Sequence, residues 1–334
     1  MSPAASYLRL SRFTDPGERR ILLEGIRSDP EAIAAVAQQQ TIHHNLLPYF
    51  GISRNRWDGM ARVWPPRLDA ILEALHTRPP YALAVSREPE DRIVGACMLE
   101  SHFLTGMLRY AGIPARVRAG YFRGIRADTA HVVRFWERVM REKRVQGELL
   151  ERDPVAWAAS VNAYTAHKNE IDHRIEHWIC EYWDDQEKRW RLLDANTTFL
   201  EAHSDLGVGF HLPAQHFERA HEAWRRLRDH YVDPDQYAEE PQDGRSHIRS
   251  QLLGDFFSLL NHDIAGCDNE PGPAMAFVKR QAFSETPEEE LEELDRLADL
   301  LAEDPPRERL VEFYRTCRTL RRARMEQDPY SVAM

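Results

Sequence analysis

Across Gly112-Ile113-Pro114 the hydrophobic pattern of this chain changes period, and no other feature constrains its fold as much. Before that point Met98, Leu99, Phe103, Leu104, Met107, Leu108 and Ala111 recur on one face of a helix that begins at Cys97. Gly112 and Pro114 stop the helix. After it, Ala115–Phe122 alternates with a period of two, with Val117, Ala119 and Tyr121 on one face and Arg116 and Arg118 on the other. The chain passes from helix to strand. Further on, the aromatic and aliphatic runs 178–183 and 190–194 flank Asp184-Asp185-Gln186-Glu187-Lys188-Arg189, which predicts a hairpin of antiparallel neighbours with a polar loop.

Helical patterns surround this centre. In residues 15–80, Asp15-Pro16-Gly17 precedes one helix and Ser28-Asp29-Pro30-Glu31 caps a second. Pro65-Pro66 opens a third, with Leu68, Ile71, Leu72 and Leu75 on one face, so the lead-in is expected to be all helical. The polar stretch Arg87-Glu88-Pro89-Glu90-Asp91-Arg92 reads as a loop. Residues 123–172 are charged with helical periodicity, the mark of a helical insertion between strands. Beyond residue 205, helices are predicted over 213–230, 246–264, 287–302 and 305–325, with Pro271-Gly272-Pro273 as a hinge. The acidic run 285–304 is a solvated helix face with Leu291, Leu294, Leu297 and Leu301 inward. The expected organisation is a helical N-terminal segment over 1–80, a core over 81–204 and a helical region over 205–334.

The chain's 334 residues bury a core without disulfide staples. A net charge of −10 repels phosphate backbones and anionic lipid, which argues against nucleic acid and membrane partners. No N-terminal apolar region or membrane-length apolar window is present, and the expected location is the cytoplasm. Cys97, Cys180, Cys267 and Cys317 lie far apart without a CxxC pair, which fits neither a disulfide framework nor a cysteine zinc knuckle.

Cys97 is the cysteine with a chemical opportunity. At the first turn of a helix, a thiol meets free N–H groups and the positive end of the helix dipole, which favour thiolate and can bind an oxyanion. It then needs a base and a group that fixes the base's tautomer. His177 heads one predicted strand and Asp194 ends its hairpin partner, so neighbouring strands can hold imidazole and carboxylate side by side. A Cys97–His177–Asp194 triad, resting as thiol or as ion pair, is the candidate site. Cys180 lies three strand positions from His177, faces the other way and reads as core. Trp178, Trp183, Trp190 and Trp224 read as core aromatics, and His43-His44-Asn45 as a capped helix end with exposed imidazoles or, alternatively, as loop groups near an oxyanion hole.

These residues carry a resemblance. Arg92-Ile93-Val94-Gly95-Ala96-Cys97, the helix ending Leu108-Arg109-Tyr110-Ala111-Gly112-Ile113-Pro114-Ala115-Arg116, and Gly120-Tyr121-Phe122 resemble the nucleophile segment of the bacterial transglutaminase-like superfamily. Glu176-His177-Trp178-Ile179-Cys180-Glu181-Tyr182-Trp183 and Trp190-Arg191-Leu192-Leu193-Asp194-Ala195-Asn196 resemble its His and Asp strands. Glu222-Ala223-Trp224, Asp233-Pro234, Ile248-Arg249 and the stretch from Asp255 to Asn261 are similar to the tail of a branch with a helical C-terminal region. The resemblance implies an α+β fold with a papain-like core, a nucleophile helix packed on an antiparallel sheet. It also implies Cys97 as nucleophile, His177 as general base and acid, and Asp194 as orienter. The activity implied is acyl transfer or amide hydrolysis through a thioester on an amide, ester or thioester, amide formation included, without a cofactor. A small-molecule, peptide or acyl-carrier substrate would be its partner. Two positions depart from the pattern: Cys97-Met98-Leu99-Glu100 replaces a polar Cys-Arg-Asp run, and Glu176 stands where an Asp often precedes the His.

Two rival readings accompany it. His173-Arg174-Ile175-Glu176-His177 satisfies the H-x-x-E-H pattern of inverted zinc metallopeptidases, in which His173 and His177 would bind metal from one helix face while Glu176 activates water. That reading requires a helix through His177. The other rival keeps the fold as a binding or scaffold protein without turnover.

Overall fold

The computed structural model describes residues 4–50, 52, 59–63, 66–123, 174–198, 209–237, 243–260 and 283–320. All of the expected insertion at 123–172 except its first residue, the Pro271-Gly272-Pro273 hinge and Cys267 lie outside the described residues.

The lead-in starts as its caps predict. Helix α1, Pro30–Gln40, has Pro30 at its first position and Asp29 as N-cap, whose Oδ1 accepts from the Ala32 N–H at 2.9 Å. Strand β1, Thr41–His43, follows directly. Helix α2, Leu68–His76, buries Leu68, Ile71, Leu72 and Leu75. Strand β2, Ile93–Gly95, pairs parallel with β1, Thr41 opposite Ile93 and His43 opposite Gly95. The lead-in is therefore not all helical. The correction has a plain cause: a three-residue strand carries too little pattern to be seen, and its partner lies fifty residues away.

Helix α3, Cys97–Tyr110, begins where expected. It is buried all round from Cys97 to Arg109, since α1, α2 and the sheet surround it. Strand β3, Ala115–Phe122, is also buried on both faces. Strands β4, Ile175–Asp184, and β5, Arg189–Leu193, form the predicted antiparallel hairpin. Strands β6, His211–Leu212, and β7, Phe217–Arg219, complete a sheet in the order β6-β5-β4-β3-β7. Every pairing in it is antiparallel. The run 213–230 is thus only partly helical: β7 precedes α4, Ala220–Arg228, because Phe217 and Arg219 pair with Phe122 and Gly120. Gly120 permits this approach, as a Cβ there would stand 2.2 Å from the Glu218 carbonyl oxygen.

Helices α5, Gly244–Leu259, α6, Glu288–Ala302, and α7, Arg307–Thr316, close the chain. Leu291, Leu294, Leu297 and Leu301 of the acidic helix α6 face inward, in one core with Trp224, Ile248, Leu252 and Phe256. The fold is α+β, with α3 against the sheet and the later helices packed beside β3. Arg116 and Arg118 do not reach solvent: Arg116 lies over the Trp190 ring and pairs with Glu181, and Arg118 donates to both oxygens of Asp255 on α5 at 2.8 Å. Asp255 also accepts from the Ala119 N–H at 2.9 Å, so one carboxylate ties α5 to β3. No helix among the described residues is long and apolar enough to cross a membrane.

Candidate active site

Ala96 precedes α3 with extended backbone (φ −99°, ψ 174°) and no side-chain cap. The first N–H groups of the helix therefore stay unclaimed by a capping side chain at the residue that bears the thiol. The sheet comes to meet them. β5 pairs with β4 only as far as Leu193 opposite Cys180, and the Trp178 N–H donates to Cys97 Sγ at 3.4 Å. Met98, Val117, Ala119, Trp178 and Phe13 pack around the sulfur. Ser101 and Thr105, one and two turns along α3, donate to the Trp178 carbonyl oxygen at 2.7 Å and to Cys180 Sγ at 3.2 Å. Helix and strand are pinned at three successive levels.

His177 and Asp194 meet as the hairpin predicts. His177 Nε2 lies 2.8 Å from Asp194 Oδ2, and the other carboxylate oxygen accepts from the Asn196 N–H at 2.8 Å. Phe122 stacks on the imidazole, with ring centroids 3.9 Å apart and planes at 22°. The carboxylate accepts a hydrogen bond from Nε2–H, which leaves Nδ1 as the nitrogen free to act as base. Cys97 touches the amide of the residue next to His177, while no direct hydrogen bond joins Cys97 and His177 among the described residues.

Electrostatics bears on which of the two resting forms the surroundings favour. Burial, and after it the Glu176 carboxylate, push the Cys97 thiol well above its ordinary value; the Trp178 N–H pulls it down, and Glu100 and Asp194 add to the rise. Apolar packing and three carboxyl groups thus disfavour the thiolate at Cys97. Deprotonation has to be coupled to attack.

Three further groups crowd the site. Glu100, on the first turn of α3, is buried and raised to about 8 by burial and then by Asp194, against Thr41 and Arg92, which lower it. Its Oε1 accepts from Thr41 Oγ1 at 3.5 Å, and its Oε2 has no partner among the described residues. His43 is buried on β1 beside Gly95 and stacks on His44 at 4.5 Å. Burial, then His44 and His177, hold it well below the ordinary imidazole value. His43 is therefore not the exposed imidazole of a helix end; pairing with β2 draws it inward. The third group is Glu176, which accepts from Trp178 Nε1 at 3.1 Å, Gln251 Nε2 at 2.7 Å and His247 Nε2 at 3.0 Å. Sequence reasoning gave Glu176 only a zinc role or a departure from a pattern; His247 and Gln251, seventy residues on, left no local signal.

The zinc reading fails on geometry. Glu176 and His177 stand on strand β4, not on a helix, and adjacent strand residues face opposite ways. Their hydrogen bonds go to separate partners, His247 and Asp194. His173 lies outside the described residues. Cys180 is buried core as expected, its thiol raised to about 12 by burial. Trp178 and Trp224 are buried too.

Residues 72–142 match the family described as the transglutaminase-like superfamily. The match contains Cys97, α3 and β3 and stops before His177 and Asp194. No curated protein and no solved structure gives a match. The part of this α+β core that carries the buried thiol at a helix start is thus similar to the transglutaminase-like superfamily.

Proposed function

We propose that the chain is a cysteine-dependent acyltransferase or amidohydrolase that works through a thioester on Cys97, with His177 as general base and acid and Asp194 as its orienter. The single observation that supports this most is the Trp178 amide seated on Cys97 Sγ while the adjacent residue, His177, is fixed by Asp194. Substrate in the cleft lets Nδ1 of His177 take the thiol proton as Sγ attacks the carbonyl carbon. The developing oxyanion is held by the unclaimed N–H groups at the start of α3. Collapse expels the leaving group, which takes its proton from His177 and leaves an acyl thioester. Water or an amine then attacks that thioester, gives a proton to His177 and returns the thiol. The substrate is an amide, ester or thioester of a small molecule, peptide or acyl carrier, the site of action is the cytoplasm, and no cofactor enters the steps.

The test is turnover of a set of p-nitrophenyl esters and acyl thioesters by the wild type, Cys97→Ala and His177→Ala proteins. Release of leaving group by the wild type alone supports the reading. Equal turnover by Cys97→Ala overturns it.

A further inference from the structure

Glu176 is the charged side chain for which the proposed chemistry has no use, and its surroundings are built. It precedes His177 on β4 and points to the opposite side, the side of Trp178. Three donors from two regions fix its plane: Trp178 and Gln251 on Oε1, and His247 on Oε2. His247 is itself held, with Nδ1 3.1 Å from the Tyr121 hydroxyl. Tyr121 thus helps orient the ring whose Nε2–H donates to the carboxylate. Although burial pushes Glu176 up, the His247 contacts, then Trp178 and Gln251, hold it at about 2, so it is ionised at any working pH.

A carboxylate that serves only structure is saturated and enclosed. Glu181, five residues along the same strand, is fully buried and receives Arg116, Arg118 and Arg219. Glu176 differs from it. Its side chain is 26% exposed, and its ionisable partner among the described residues is His247 at 3.0 Å, with no Arg or Lys. Each carboxylate oxygen offers about two acceptor positions; among the described residues Oε1 uses both and Oε2 uses one. Trp178 links this carboxylate to the nucleophile, its amide on Cys97 Sγ and its indole N–H on Glu176 Oε1.

We propose that Glu176 is a specificity residue that receives a cationic ammonium group on the acyl donor, within a few bonds of the carbonyl that Cys97 attacks. One open acceptor suits an ammonium, a compact charge needing a single contact; a guanidinium fork needs both oxygens. The substrate class is an aminoacyl ester, thioester or amide with a free amino group. This rests on Cys97 as the acyl-accepting nucleophile.

The experiment separates the two ideas. The full chain is treated with ethyl methanethiosulfonates of similar size bearing an ammonium, no charge or a sulfonate, and modification of Cys97 is followed by peptide mass spectrometry. In parallel, acylation by the ethyl thioesters of alanine and N-acetylalanine is read from intact mass. The ammonium reagent is expected to outpace the sulfonate at least tenfold, and alanine to acylate faster than N-acetylalanine. Glu176→Gln is expected to shrink both ratios about tenfold; the neutral reagent corrects for the thiol reactivity that this substitution itself raises. Equal rates for the two charged reagents in the wild type, or ratios that survive Glu176→Gln, overturn the proposal even if both thioesters acylate Cys97. Selective reaction with the ammonium reagent but no acylation by either thioester sustains the cation site and overturns the acyl chemistry. If Glu176→Gln unfolds, shown by modification of buried Cys180, Gln251→Ala decides: it keeps the charge and must keep the preference, and its loss overturns the assignment.

Discussion

Strand β4 carries two buried polar regions a few residues apart, and they differ in how completely their groups are satisfied. Around Glu181, two buried arginines of β3 and the half-exposed Arg219 surround one carboxylate, and Arg118 continues to Asp255, so every charge has an opposite neighbour. Around Cys97 and His177, the thiol holds one amide contact, and among the described residues Glu100 Oε2 has no partner and Glu176 Oε2 has His247 alone. Both regions spend desolvation energy on polar groups. Only the first recovers it within the fold. Residual capacity at buried polar groups, more than burial or charge alone, is what separates a site from a strut on this strand.

Substitutions on the two sides should part activity from stability. The largest effect expected is on turnover: Cys97→Ala and His177→Ala should each lower it by about 10⁴-fold or more, with the urea midpoint unchanged. A shared loss of stability would erase the contrast. Asp194→Asn keeps the shape but no longer fixes the Nε2–H tautomer, and should cost about 10²–10⁴-fold in kcat, less than loss of His177. On the other side, Glu181→Ala leaves Arg116 and Arg118 buried without their shared carboxylate and should cost about 3–5 kcal/mol in urea unfolding, while the folded fraction keeps its activity. A cheap Glu181→Ala would show that this network is not the strut described here.

The smallest effect sharpens the comparison through pH. Glu100 is raised from 4.5 to about 8 in the fold, so between those values the native chain holds a proton that the unfolded chain has lost. Its contribution to stability is complete below the unfolded value and fades as pH climbs through about 8. Glu100→Gln is neutral throughout. Its stability relative to wild type should therefore improve by about 1–3 kcal/mol between pH 5 and pH 8, read from urea unfolding at each pH. Parallel stability curves would mean that Glu100 is not held protonated.

Much of the site's scaffold was legible because it depends on local pattern. The start of α3 at Cys97, its stop at Gly112, the Asp29 cap and the β4–β5 hairpin follow from periodicity and turn chemistry, and His177 and Asp194 come together because strand register puts them there. What stayed hidden depends on distant partners. β1 and β7 have three residues each and exist only through pairing with β2 and β3. Arg116 and Arg118 alternate with apolar residues as a solvent face does, and it is distant carboxylates, Glu181 on β4 for both and Asp255 on α5 for Arg118, that hold them inward. The rise of the Cys97 thiol was hidden for the same reason, since the helix start was visible at Cys97 but Glu176, Glu100 and the apolar walls around it were not.

The claim that matters most is covalent, and intact-protein mass spectrometry tests it most directly. The protein is mixed with excess acyl thioester, quenched in acid within seconds and weighed, with the adduct mapped to a peptide. One acyl group per chain on Cys97, removed by hydroxylamine and absent from Cys97→Ala, is the predicted result. An adduct on Cys180 or Cys317, or turnover without any adduct that Cys97→Ala leaves intact, would contradict it.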